Sequence, residues 1–306
     1  MPAISVGKSI SKLAIWGRDW KTDERTNLMS AFSPVLPEVT KATLQFLRPM
    51  QERPVSYQCD PPQGIPVRTG TYDPYAVQIR NARPLARALS LDAEGFTLAR
   101  AQSDFSDYHD NAAIRSAYYP EVEQLIANAI GAERVIAFDH NIRNVERAEK
   151  GEAGIRGPVP RAHNDFTLRS GPDRVRAELE LRDLDAEALL RRRFAIINLW
   201  RPINRPAYKS PLALCDARTV APADLVATDL VYRDRIGETY SLQHNAAHQW
   251  FYFPNLSPNE AILLKGYDSD ERVTRFTAHA AFDDPHSPRD APERESIEIR
   301  ALAIYP

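Results

Sequence analysis

The chain has 306 residues with a formal charge of −2 at pH 7, and 43% of its residues are hydrophobic. This length fits one large domain or two small ones, with enough apolar side chains for a sizeable core. The near-neutral charge argues against a nucleic-acid-binding protein, because no excess of lysine and arginine is available to neutralise phosphates.

The numbers and spacing of the cysteines and glycines exclude further classes of protein. Two cysteines, Cys59 and Cys215, cannot supply a disulfide framework. The 12 glycines form neither G-x-G-x-x-G nor G-x-x-x-x-G-K-[ST], so the usual nucleotide-binding loops are absent. No apolar run is typical of a signal peptide, and none approaches the ~20 residues that span a bilayer. These features predict a cytoplasmic protein in a reducing compartment, bound to neither nucleic acid nor membrane.

Residues 1–80 are predicted to form an irregular N-terminal arm packed on the core. Prolines punctuate this region, with short β-rich pieces such as residues 43–47 between them. Residues 81–306 are predicted to form the main domain. The arm and this domain are expected to form a single structural unit.

Helices are predicted in the first half of the main domain, within residues 81–131. One is expected to begin at residues 103–105 and to run through Ile114. Residues 120–130 have proline in the first turn, apolar residues at helical spacing and Gly131 just past the end, which together favour a second helix. Residues 178–193, rich in Leu, Glu and Arg, are predicted to form a third.

Strands dominate the rest of the chain. Short apolar or alternating runs indicate them at residues 134–139, 194–200, 250–253, 261–264 and 297–302. Helices first and many short strands afterwards favour a β-sandwich or barrel with helical cover.

A candidate metal-binding pair follows the Gly/Pro-rich loop 151–160. On an extended strand, His163 and Asp165 point to the same side because the side-chain period is two. A second imidazole would complete a triad of two histidines and one carboxylate, which suits non-haem Fe(II) and leaves positions open for a cosubstrate and O₂. His-x-Asp alone is a weak signal, so the third ligand must support it.

Several downstream histidines compete for the third position. His244 and His248 have a spacing that suits zinc on a helix, but the catalytic glutamate of His-Glu-x-x-His is missing. His286 lies between prolines in a turn-like segment. His279 lies in a β-compatible segment, and an Arg-x-Ser pair follows it on a later strand, which favours His279.

That strand places Arg294, Ser296, Glu298 and Arg300 on one face. The planar fork of an arginine can bind the remote carboxylate of an oxo-diacid, and a serine hydroxyl can donate a further bond. The alternative interpretation is a charged face on an edge strand. Asn198, on the predicted strand 194–200, either reaches the cosubstrate or makes a structural hydrogen bond.

Five segments, in this order along the chain, resemble a known family. They are residues 198–203, 211–216, 248–254, 266–269 and 294–300. They are similar to a largely fungal group of hydroxylase/desaturase proteins, related to gibberellin desaturase and to cephamycin methoxylase small-chain-like proteins. The resemblance covers roughly residues 130–306 and is far more specific than any single motif.

The resemblance implies an Fe(II)/2-oxoglutarate-dependent dioxygenase on a double-stranded β-helix, a cupin-like jelly roll. It assigns the metal ligands to His163, Asp165 and His279 and the cosubstrate arginine to Arg294. Arg300 resembles a second arginine near the keto-acid end of the cosubstrate.

The expected reaction is oxidation of a C–H bond of a small secondary metabolite by O₂, giving hydroxylation, desaturation or ring formation. Two alternatives remain: a cupin-type zinc isomerase or hydrolase without an oxo-acid, and a non-catalytic barrel that binds a small molecule. The sequence leaves the oligomeric state open, with a homodimer as one option.

Overall fold

The computed structural model describes residues 37–306, and this part of the chain contains two β-sheets and five α-helices. The strands are β1 (Val39–Leu47), β2 (Val55–Tyr57), β3 (Tyr72–Asn81), β4 (Phe96–Arg100), β5 (Arg134–Arg143), β6 (Ile155–Arg156), β7 (His163–Asn164), β8 (Phe194–Pro202), β9 (Leu212–Cys215), β10 (Leu225–Val231), β11 (Ile236–Leu242), β12 (Trp250–Tyr252), β13 (Glu260–Asp268), β14 (His279–Ala281) and β15 (Ser296–Ile304). The helices are α1 (Asn111–Ala113), α2 (Tyr119–Ile130), α3 (Val145–Glu149), α4 (Ser170–Glu180) and α5 (Ala186–Leu190).

The strands form a nine-stranded and a six-stranded sheet. The larger sheet has the order β1-β3-β12-β9-β14-β7-β11-β10-β2, and the smaller has the order β4-β13-β8-β15-β5-β6. Apolar residues of both sheets share one core, in which Trp200 and Ile262 of the smaller sheet join Leu214 and Phe251 of the larger. The predicted mainly β jelly roll with helical cover is confirmed.

Strand β8 lies between a helix and the inside of the jelly roll. Its residues are all buried, which fits a strand covered on both faces. Ile197 and Leu199 belong to the core cluster that contains Val122 and Ile126 of α2. The alternate residues Asn198 and Trp200 therefore face the interior between the sheets.

The predicted helix at residues 120–130 is confirmed as α2, and Gly131 ends it in the left-handed region with φ of 68°. The other two helix predictions are wrong in extent. Helical structure begins only at Asn111, where the side chain of Asp110 caps the first turn. The segment 178–193 is divided between the end of α4 and the short α5, and a left-handed residue, Asp183 with φ of 54°, lies between them.

The prediction of irregular structure up to residue 80 is wrong for residues 39–47, 55–57 and 72–80, which form β1, β2 and most of β3. The predicted β-rich piece at residues 43–47 lies within β1. Burial alternates along β1, as expected of a strand with one face on the core. Pro74 is tolerated within β3 because this strand pairs with β12 only from Ile79 onward, so no ladder bond is lost there. Strand β4 likewise interrupts the predicted helical region 81–131. Residues 1–36 of the predicted arm lie outside the described residues.

A buried ion-pair network supports β13. Lys265 and Asp268, both fully buried, lie 2.8 Å apart. Arg193 and Asp92 complete the network, at 2.8 Å from Asp268 and 2.6 Å from Lys265 respectively. No helix among residues 37–306 is long and apolar enough to cross a membrane.

Candidate metal centre

Three potential metal ligands meet on the larger sheet. His163 begins β7, Asp165 follows that strand directly, and His279 begins β14, where it pairs with His163 in the antiparallel ladder. The two imidazole rings have centroids 4.5 Å apart, and Nε2 of His163 lies 3.6 Å from Oδ1 of Asp165. One donor atom from each residue lies within 4.8 Å of the others. Two imidazoles and one carboxylate at this separation form a donor set suited to Fe(II).

Backbone carbonyls fix the orientation of both imidazoles. Nδ1 of His163 donates to the carbonyl of Arg161 at 2.8 Å, and Nδ1 of His279 donates to the carbonyl of Thr277 at 3.0 Å. In each ring the lone pair is thereby left on Nε2, the atom that faces the other ligands. Burial and the neighbouring His279 lower the pKa of His163 to about 3, so its ring is neutral at pH 7.

Asp165 is held by two side chains through a single oxygen. Its Oδ2 accepts a hydrogen bond from Nδ2 of Asn198 at 2.7 Å and another from Nε of Arg300 at 2.9 Å. Burial favours the neutral acid, but the charge of Arg300 outweighs burial and keeps the pKa of Asp165 well below its usual value. Oδ1 is left for a metal.

The supporting side chains are connected to one another. Nδ2 of Asn198 also donates to Oε1 of the buried Glu298 at 2.6 Å, and Glu298 lies 3.7 Å from Arg300. Arg300 makes a further ion pair with Asp139 at 2.9 Å. Asn198 and Arg300, predicted at the cosubstrate, are therefore in contact with the carboxylate of the triad.

A recess beside the triad contains Arg294, and Ser296 follows it at the start of β15. The recess is lined by His163, His279, Trp200 and Arg294 among others, and the guanidinium of Arg294 lies 5.3 Å from the Trp200 ring centroid. Arg294 is 2% exposed, and its Nε has no hydrogen-bond partner among the described residues; the Oγ of the buried Ser296 also lacks one.

The charge of Arg294 is compensated only in part. One of its nitrogens donates to the carbonyl of Ser210, and no carboxylate is within ion-pair distance in the part of the chain that the structure describes. Burial and the like charge of Arg143 lower the pKa of Arg294 to about 9. A buried cation with a free donor next to a free hydroxyl fits a ligand carboxylate.

Arg143, at the end of β5, is a site residue that the sequence prediction missed. It lines the recess, and its guanidinium donates to the carbonyl of Gly157 at 2.9 Å. The predicted strand ended at residue 139, four residues too early. Arg143 lies directly opposite Ser296 in the β5–β15 ladder. This pairing identifies Arg143 as a site residue, but it is known only from the strand register and cannot be read from the sequence.

The competing histidines lie away from the triad. His248 is paired with Asp224 at 3.0 Å, and His244 stacks on Tyr75 with a centroid distance of 4.0 Å. His286 contacts Asp284 at 3.1 Å. None of these three belongs to a group of three metal-binding side chains among residues 37–306.

Comparison with known proteins identifies the family. Residues 44–304 match the family model described as an oxidoreductase/YMDC permease-like domain. The chain is 31% identical to the Fe(II)/2-oxoglutarate-dependent dioxygenase nvfI of Aspergillus novofumigatus, over 81% of this chain and 90% of that protein. It is 31% identical to the hydroxylase/desaturase efuI of Hormonema carpetanum, over 76% of this chain and 85% of that protein.

A solved structure agrees with these sequence relatives. The iron and alpha-ketoglutarate-dependent endoperoxidase NvfI superposes with a TM-score of 0.78 at 27% identity, over 88% of this chain and 98% of its own. The predicted resemblance, the dioxygenase activity and the use of Fe(II) and 2-oxoglutarate are thereby confirmed, and the zinc-enzyme and non-catalytic alternatives are not supported. The chain belongs to the family of Fe(II)/2-oxoglutarate-dependent dioxygenases and hydroxylase/desaturases.

Proposed function

We propose that this dioxygenase oxidises a C–H bond of a small secondary metabolite, with iron held by His163, Asp165 and His279. The observation that carries the proposal is the pairing of His163 with His279 across one ladder position, with both Nε2 atoms and Oδ1 of Asp165 left free. When bound, Fe(II) and 2-oxoglutarate together activate O₂ for the oxidation of an unactivated C–H bond.

We assign the remote carboxylate of 2-oxoglutarate to Arg294 and Ser296. Both carry a buried polar atom without a hydrogen-bond partner among the described residues, and Arg294 lines the recess together with the two imidazoles. A carboxylate placed there would satisfy these two donors and neutralise a buried cation, so the protein orients the cosubstrate with groups that are already in position. Trp200, beneath the guanidinium, excludes water from this end of the recess.

We assign Asn198 and Arg300 to positioning Asp165. Their hydrogen bonds occupy Oδ2, which holds the carboxylate in one rotamer and presents Oδ1 to the metal. Outer hydrogen bonds of this kind commonly change metal affinity by about 10- to 100-fold. The role near the keto-acid end that the family resemblance implied for Arg300 is less favoured, because its guanidinium is already shared among carboxylates.

We propose residues 39–306 as one catalytic unit. Strands β1 and β3 from the predicted N-terminal arm share a sheet with β7 and β14, which carry the histidines. A cytoplasmic setting is supported by two free cysteines, of which Cys215 is buried.

The proposal is tested by loading the purified protein with Fe(II) without oxygen and then measuring the conversion of 2-oxoglutarate to succinate on admitting O₂. We expect one iron per chain and succinate formation that depends on both iron and O₂. A protein that binds zinc in preference to iron and gives no succinate would contradict the proposal. Once succinate formation has been shown, mass-spectrometric screening of metabolite extracts identifies the substrate that is oxidised and its product.

A further inference from the structure

A second, large and open cavity lies next to the triad, and Arg294 is not among its lining residues. Its volume is about 1300 Å³, and His163, Asp165 and Arg300 line its inner end. Phe138, Phe166 and Val159 contribute apolar surface to its wall. A cavity of this size that opens onto the metal ligands is the expected position of the oxidised substrate.

The walls of this cavity are strongly cationic. Nine arginines and five carboxylates line it, in a chain whose total formal charge is −2. Arg53 is paired with Asp229 and Glu238, and Arg300 is paired with Asp139 and Asp165. The positive excess therefore remains on other arginines of the wall.

Arg68, Arg143, Arg156 and Arg161 have no carboxylate within ion-pair distance among residues 37–306. Arg161 lies over the ring of Tyr72, 5.7 Å from its centroid, and Arg143 donates only to a backbone carbonyl. Arg143 and Arg156 lie opposite each other in the parallel ladder of β5 and β6. All four arginines line the same cavity, so they place several like charges around one space.

The cosubstrate does not account for this group. The recess that contains Arg294 is lined by Arg143 but not by Arg68, Arg156 or Arg161. These three line the larger cavity, where Arg161 is half-buried and Arg68 and Arg156 are exposed. Asp173, the cavity carboxylate without an arginine partner among the described residues, is exposed on the first turn of α4 and leaves the excess in place.

We propose that Arg68, Arg156 and Arg161, with Arg143 at their inner edge, bind a carboxylate of the substrate, which makes this enzyme an oxygenase of organic acids. This inference rests on the proposed function and specifies its substrate class. Guanidinium groups that lack counter-ions lose their mutual repulsion when an anion binds between them, and their planar forks match a carboxylate. Arg161 precedes His163 by two residues, so their Cα atoms are at most about 7 Å apart, and both residues line the same cavity.

The first test uses 2-naphthoate and its methyl ester as probes. Each is titrated calorimetrically, without oxygen, into enzyme that carries Fe(II) and saturating 2-oxoglutarate. We expect the acid to bind at least tenfold more tightly than the ester, a difference of ~1.4 kcal/mol. Equal affinities, or displacement of 2-oxoglutarate by the acid, would overturn the proposal. Much tighter binding of 1-naphthyl phosphate would overturn the assignment to a carboxylate.

Variants test the named arginines. The double variant R68Q/R161Q should weaken the acid at least tenfold and leave the ester unchanged. Arg161→Lys, which keeps the charge but lacks the planar fork, should weaken the acid less than Arg161→Gln does. Arg156→Gln, on β6, should also weaken binding of the acid. It tests the site without changing a residue next to His163. Arg100→Gln, an exposed arginine of β4 outside the cavity, is the matched control.

The dissociation constant of 2-oxoglutarate and its conversion to succinate are measured on every variant. If wild-type enzyme shows no preference for the acid while both remain normal, the acid site is wrong and the dioxygenase function stands. If wild-type enzyme neither binds nor converts 2-oxoglutarate, the proposed function has failed. A preference for the acid that persists unchanged in R68Q/R161Q and in Arg156→Gln would also overturn the acid site.

Discussion

Nε of Arg300 donates to Oδ2 of Asp165 at 2.9 Å, on the oxygen that faces away from His163. The same oxygen accepts a bond from Asn198. Arg300 therefore reaches the metal centre through the carboxylate ligand, and the consequences of removing it can be separated from those of removing Arg294.

Arg300→Ala should weaken iron binding by about 10- to 100-fold, because Asp165 loses its orientation and its compensating charge. Iron titration followed by elemental analysis measures this. The Michaelis constant for 2-oxoglutarate, measured at saturating iron, should change much less. If iron affinity is normal and only the 2-oxoglutarate constant rises, Arg300 acts at the keto-acid end and its assignment here is wrong.

His279→Ala should abolish iron retention and succinate formation while the far-ultraviolet circular dichroism spectrum stays unchanged. The reason is the loss of one of three ligands from a side chain that is not part of the apolar core. His286→Ala, in a half-exposed turn, is the control and should keep full iron occupancy. Normal iron content in His279→Ala would exclude His279 as a ligand.

Arg294→Ala should raise the apparent constant for 2-oxoglutarate about 30-fold or more while iron affinity is preserved. Truncating one partner of a sheltered charge pair costs about 2–5 kcal/mol, and ~1.4 kcal/mol corresponds to tenfold. Arg294→Lys should recover only part of the loss, because an ammonium group lacks the planar fork. Steady-state kinetics at fixed iron decide this, and a normal constant in Arg294→Ala would remove Arg294 from the cosubstrate site.

Asp268→Ala should lower the free energy of unfolding by about 3–5 kcal/mol, since it leaves the fully buried Lys265 without its buried partner. Urea denaturation followed by fluorescence measures the change. Asp92→Ala, which removes the half-exposed partner of the same lysine, should cost clearly less. Similar losses in both variants would mean that burial of the pair does not determine its contribution.

The sequence correctly predicted those helices and strands that are determined by their own residues and not by distant ones. Proline in the first turn and Gly131 beyond the last turn mark α2, and the apolar run of β8 marks a strand buried on both faces. Local signals failed where a long-range contact decides the outcome. Strand β4 forms because its residues pair with β13. The sequence of residues 81–131, which were predicted to be helical, does not reveal that partner.

The same distinction applies to the site. The spacing of His163 and Asp165 and the Arg-x-Ser pair near Arg294 are visible in the sequence, and they pointed to three side chains that the structure brings together. Asn198 was left between two roles because only the register of β8 against β15 places it beside Glu298 and Asp165. Arg143 was missed for the same reason.

Both imidazole orientations are set by a carbonyl two residues earlier in the same chain segment. No side chain elsewhere in the protein is needed for this, so the ring orientations do not depend on which residues line the substrate cavity. Substitutions in that cavity can accumulate without disturbing the histidine tautomers. This separation explains in physical terms how one scaffold can diversify over many substrates, and it makes the arginine-rich wall a suitable starting point for directed evolution of substrate range.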